Sequence, residues 1–71
     1  MKEHAVIYEH GQNNWSSYSP DVPGCIATGK TRDEVERNMQ SALQFHLEGL
    51  RLHGEPIPEP TCEAGNVAVA V

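Results

Sequence analysis

The passage Tyr18-Ser-Pro-Asp-Val-Pro-Gly-Cys-Ile-Ala-Thr-Gly-Lys-Thr-Arg-Asp-Glu34 constrains the fold more than any other part of the chain. Pro20, Pro23 and Gly24 keep the backbone off a helical path, so the first half is an ordered corner and not a flexible linker. Thr31 followed three residues later by Glu34 has the spacing of a capping box, which opens a helix. Strand end, corner, short strand and helix start therefore follow one another within seventeen residues.

What surrounds the corner fits that reading. His4–Glu9 is rich in β-branched and aromatic residues, and Gly11-Gln-Asn-Asn14 has turn composition, so a hairpin returns through Trp15–Ser19. Ala5 and Ile7 point to one face of the first strand while Val6 and Tyr8 point to the other, which leaves both faces of the sheet something to cover. Cys25-Ile-Ala27 is a short third strand ending at Gly29. After Thr31, the positions Val35, Met39, Ala42, Leu43, Leu47 and Leu50 fall within an arc of about 140° at helical spacing, the stripe of a helix packed on a sheet. Asp33, Arg37, Gln40, Gln44, Glu48 and Arg51 take the solvent side. Phe45 and Leu52 lie beyond the stripe and widen the apolar surface past what one sheet face needs.

Gly54 suits the helix stop, and Glu55-Pro-Ile-Pro-Glu-Pro60 enforces an extended path. Asn66-Val-Ala-Val-Ala-Val71 is uncharged and has strong strand character. Unpaired, it is an aggregation hazard, so it is expected in a sheet, of its own subunit or of a neighbour. The order is β-β-β-α-β, an α+β two-layer domain with one helix packed on a small sheet, occupying residues 1–71 as a single domain.

At 71 residues such a domain buries only about 60% of the surface its unfolded chain exposes, so self-association is expected. Ten acidic against five basic residues give a net charge of −5, which disfavours nucleic acid and favours a basic partner. The amino terminus has no signal-peptide core, and no segment has the roughly twenty apolar residues of a membrane span. A cytoplasmic location with no membrane partner is expected. Cys25 and Cys62 lack C-x-x-C spacing and read as reduced thiols, Cys25 as a packing residue.

Chemistry finds little support. Cys25 and four histidines supply the residue types for nucleophilic catalysis, but nothing fixes a pairing. His46, on the apolar stripe, reads as a packed, hydrogen-bonded histidine, and His53 as a group favouring the last helix carbonyls. The two lack metal-ligand spacing. Strand carboxylates for metal-assisted phosphodiester cleavage reduce to Glu9, and no glycine-rich phosphate loop is present. Tyr8, Trp15 and Tyr18 could stack bases, but no basic cluster accompanies them, so core or protein-interface use is favoured. No catalytic, cofactor or metal site is expected.

Four segments in this order, Tyr18–Gly29, Thr31–Val35, Ala42–Leu50 and Gly54–Pro60, resemble the HicB family of bacterial antitoxins, a similarity running from about His4 to Val71. The resemblance implies a partial ribonuclease-H-like fold without nuclease activity. It also implies a partner, a small basic RNA-cleaving HicA-like toxin whose active site the antitoxin covers. Many members continue into a DNA-binding domain that has no counterpart here before Val71, so direct DNA binding by this chain is not expected. Trp15, Tyr18, Asp21 and Val22, on or beside the corner, are the expected toxin contacts. Phe45, Leu52, Val67, Val69 and Val71 are the expected self-association residues of a dimer or tetramer. The competing functions are a toxin-free oligomeric binding module and a ribonuclease-H-like nucleic-acid enzyme.

Overall fold

A computed structural model describes residues 2–71. Strands β1 (Ile7–His10), β2 (Trp15–Ser19) and β3 (Val22–Gly29) form an antiparallel sheet in the order β1-β2-β3, and helix α1 (Arg32–Leu52) follows. This is an α+β, β-β-β-α arrangement. Among the described residues the expected fifth element does not form within the chain: Asn66–Val71 pairs with none of the three strands. Strand propensity alone does not hold an extended segment that has no partner edge.

The corner resolves into two devices. Pro20 and Asp21 form a two-residue turn, with Ser19 paired to Val22. None of the described non-glycine residues has positive φ, so this turn is not of the primed kind whose twist suits a hairpin. The mismatch is taken up next door. Tyr18 pairs with Ile26 while Ser19 pairs with Val22, so Pro23, Gly24 and Cys25 are extra on β3, and Gly24 adopts φ 83°. The third strand is thus longer than Cys25–Ala27 because pairing resumes on both sides of a bulge. The bulge also turns Val22 inward, to 1% exposure.

The helix is closed at both ends. The Glu34 N–H donates to Thr31 Oγ1 at 3.0 Å, while Glu34 Oε1 accepts from the N–H of Lys30, one residue before the cap. At the other end the N–H of Glu55 donates to the Leu50 carbonyl and that of Gly54 to Arg51, a Schellman stop with Gly54 at φ 70°. His53 behaves as expected, its Nδ1 lying 2.8 Å from the Gly49 carbonyl oxygen.

One face of the sheet receives the helix. Val35 and Met39 are fully buried, and Met39 joins Val22 and Cys25 in a core flanked by Val6, Ala27, Ala42, Leu43 and Leu47. Gly29 lets the helix start close on β3, and Asn38 Nδ2 donates to the Thr28 carbonyl at 2.8 Å. The buried hydroxyls are satisfied: Ser17 Oγ donates to the Ala27 carbonyl and Ser19 Oγ to that of Ala5. Cys25 is a packing residue, and burial pushes its thiol pKa up, away from nucleophilic use.

Candidate protein-binding surface

Strand parity decides what each aromatic ring can do. Tyr8, Trp15 and Ser17 lie on the helix side of the sheet, whereas Tyr18 lies on the opposite side. Trp15 stacks on His10 with ring centroids 4.5 Å apart and planes 7° from parallel. Arg32 covers the ring of Tyr8 at 3.6 Å from its centroid, a cation–π contact. The three rings are therefore not all on one face, since Tyr18 lies opposite the other two, and those two already carry a partner. A base-stacking platform does not form.

The four expected contact residues are likewise separated. Val22 is in the core. Trp15 is at the far end of β2 from the corner, facing the helix side. Asp21 sits at the turn, but its carboxylate is engaged with the chain's own carboxy-terminal segment. It accepts from the backbone N–H of Thr61 (2.8 Å) and of Cys62 (2.9 Å), from Thr61 Oγ1 (2.7 Å) and from the Cys62 thiol (3.3 Å). The backbone bond from Cys62, followed by the other donors, holds the Asp21 carboxyl far below its ordinary range. The same contact raises the Cys62 thiol pKa.

Tyr18 is 42% exposed, and register gives it neighbours that strand composition alone did not mark. Ile7 lies directly opposite it on β1 and Ile26, 70% exposed, directly opposite on β3. The Ile7–Tyr18–Ile26 row crosses the sheet face that the helix does not cover. Glu9, Ser16 and Thr28 form the next row on the same face. The one available signal was that both faces of the first strand carry apolar residues.

Other exposed apolar groups lie elsewhere. Phe45 (84%) and Leu52 (71%) are on the outer side of α1, and Val67, Val69 and Val71 are on the carboxy-terminal segment. Three of the five cationic side chains are already paired with acids, Lys2 with Glu59, Arg32 with Glu36 and Arg51 with Glu48, so the surface keeps its acidic excess. Among the described residues, no three His, Cys, Asp or Glu side chains are gathered as a metal ion requires, and no helix is long and apolar enough to cross a membrane.

Comparison with known proteins places the whole chain in context. Residues 4–68 match the family model described as the HicB-like antitoxin of a bacterial toxin–antitoxin system. The chain is 32% identical over 63 residues to a UPF0150 protein of Thermoplasma acidophilum, an alignment covering 89% of this chain and 91% of that one. It is 42% identical over 40 residues to an uncharacterised 14.9 kDa protein of Haemophilus phage HP1, covering 56% of this chain and 30% of the phage protein. A UPF0150 protein of Helicobacter pylori is 29% identical over 42 residues, covering 59% and 58%. No solved structure matches the chain.

Proposed function

Because the chain belongs to the HicB-like antitoxin family of bacterial toxin–antitoxin systems, we propose that it neutralises a small, basic, RNA-cleaving toxin of the HicA type by covering the toxin's active site. The action is steric and needs no catalysis by this chain. The observation that carries this reading is the apolar row Ile7–Tyr18–Ile26 on a sheet face left open, set in a surface of net charge −5. Apolar residues with an aromatic at their centre make an anchor, and the surrounding acidic field steers a basic partner toward it. Tyr18 is the central contact. Asp21 contributes by tying the tail to the corner, Trp15 borders the far end of β2, and Val22 supports the hairpin from beneath.

The proposed setting is the cytoplasm, where such a toxin meets RNA. Self-association into a dimer or tetramer belongs to the same proposal, through Phe45, Leu52 and the tail valines. The partial ribonuclease-H-like topology implied by the family resemblance would be reached when the tail supplies a further strand.

The test is complex formation between the purified chain and the small basic toxin encoded beside it. Co-elution on gel filtration is expected, with Ile26→Asp weakening binding at least about tenfold while the circular dichroism of the helix is unchanged. A complex indifferent to changes at both Tyr18 and Ile26 would exclude this face.

A further inference from the structure

We infer that Glu9 selects the partner of the open sheet face, by receiving an arginine side chain that lies across the ring of Tyr18. The inference rests on the proposed toxin-binding role of that face and names the group that gives it specificity. Strand register sets two adjoining rows there, Ile7–Tyr18–Ile26 and Glu9–Ser16–Thr28. Glu9 is the one charged side chain in the two rows.

That charge is not committed inside the chain. Glu9 is exposed, and the ion pairs among the described residues join Lys2 to Glu59, Arg32 to Glu36 and Arg51 to Glu48. The other two cations, Lys30 and Arg37, are paired with no acid, so Glu9 is left without one. The hydroxyls divide in the same way. On the helix side Ser17 and Ser19 donate to the carbonyls of Ala27 and Ala5, whereas the Ser16 and Thr28 hydroxyls beside Glu9 hold no such bond among the described residues.

Position decides what these groups can grip together. Glu9 lies opposite Ser16, two residues from Tyr18, so Glu9 and Tyr18 are diagonal neighbours on antiparallel strands. Such pairs are about 7–8 Å apart, a gap that one long side chain spans. An arginine laid over the exposed ring covers it with stem and guanidinium plane and directs its N–H fork at the carboxylate. Lysine brings a point charge with no plane to stack, which makes arginine the better occupant.

Selection follows from desolvation. A partner that covers the apolar row also takes water from Glu9, and a buried carboxylate without a cation is strongly unfavourable. A flat apolar partner is therefore rejected, and so is the open face of a second copy, which would bring two unpaired carboxylates into one interface. A basic partner that supplies the arginine is accepted. The net charge of −5 draws such a partner in from a distance, and Glu9 discriminates on contact.

The experiment uses the whole chain and the small basic toxin encoded beside it, with affinity read by titration calorimetry. Glu9→Gln, which keeps the shape and removes the charge, should weaken the complex at least about tenfold, and Glu9→Arg at least about a hundredfold, both with the parent's circular dichroism. Changing one of the toxin's arginines to glutamate should restore binding to the Glu9→Arg chain and weaken binding to the parent. No complex with the parent chain would overturn the toxin-binding role and the inference with it. A complex broken by Ile26→Asp yet indifferent to both changes at Glu9, or a Glu9→Arg chain that no arginine change in the toxin rescues, would overturn the inference alone.

Discussion

The carboxylate of Asp21 accepts hydrogen bonds from both the backbone N–H and the hydroxyl of Thr61, forty residues further along the chain, at 2.8 and 2.7 Å. Together with the N–H of Cys62, these bonds make Asp21 the fastening between the β2–β3 turn and the carboxy-terminal segment. Asp21→Ala should release that segment without unfolding the domain, because the core residues lie elsewhere. Hydrogen exchange at the Thr61 and Cys62 amides should speed up at least about tenfold while the Met39 amide is unchanged. Unchanged exchange at Thr61 would show that the fastening is not at Asp21.

The same contact sets an acid limit. The bonds from Cys62 and Thr61 hold the folded-state pKa of Asp21 well below its ordinary 3.8. A carboxyl with a depressed folded-state pKa contributes its stabilisation fully above the ordinary value and loses it as pH falls toward the depressed one. Protection of the Thr61 amide, corrected for intrinsic rates, should therefore be flat above about pH 5 and decline only below the ordinary carboxylate range. A decline centred near neutrality would point to a different group.

Gly29 marks where helix and sheet approach most closely. A Cβ built there would sit 2.6 Å from the Val35 nitrogen and 2.9 Å from its Cα, both of them backbone atoms that cannot swing aside. Gly29→Ala should cost about 1–3 kcal/mol in chemical denaturation, a large share of the stability of so small a domain.

His4 is the reverse case. Both ring nitrogens are shielded from solvent without a hydrogen-bond partner among the described residues. Such groups carry an uncompensated desolvation cost. His4→Leu should therefore leave the domain as stable or raise its stability by about 1 kcal/mol, measured as a shift in the denaturation midpoint.

These sites differ in how far the sequence alone reveals them. The capping residues Thr31 and Glu34, the stripe through Val35 and Met39 and the stop at Gly54 are local patterns, and each is found where its spacing puts it. The extent of β3 was hidden because the Pro23–Gly24 bulge breaks the two-residue alternation that marks a strand. That break also put Val22 on the wrong side of the reading. Trp15 and Tyr18 are three residues apart, so on one strand they must face opposite ways, and parity alone could have separated them. The Ile7–Tyr18–Ile26 row needed the strand register, and the Asp21–Thr61 fastening joins segments whose proximity no local pattern encodes. The tail has strand propensity, but a strand also requires a paired edge, and Asn66–Val71 pairs with none of the three strands.

The central claim, that this chain disarms a toxin through its open sheet face, is tested most directly by growth. The chain and the small basic toxin encoded beside it would be expressed together from separate inducible promoters, with a Tyr18→Ala, Ile26→Asp variant in parallel. The account predicts restored growth with the parent chain and toxicity with the variant, at equal soluble levels of both proteins. Toxicity unrelieved by the parent chain, or rescue by the variant as complete as the parent's, would contradict it.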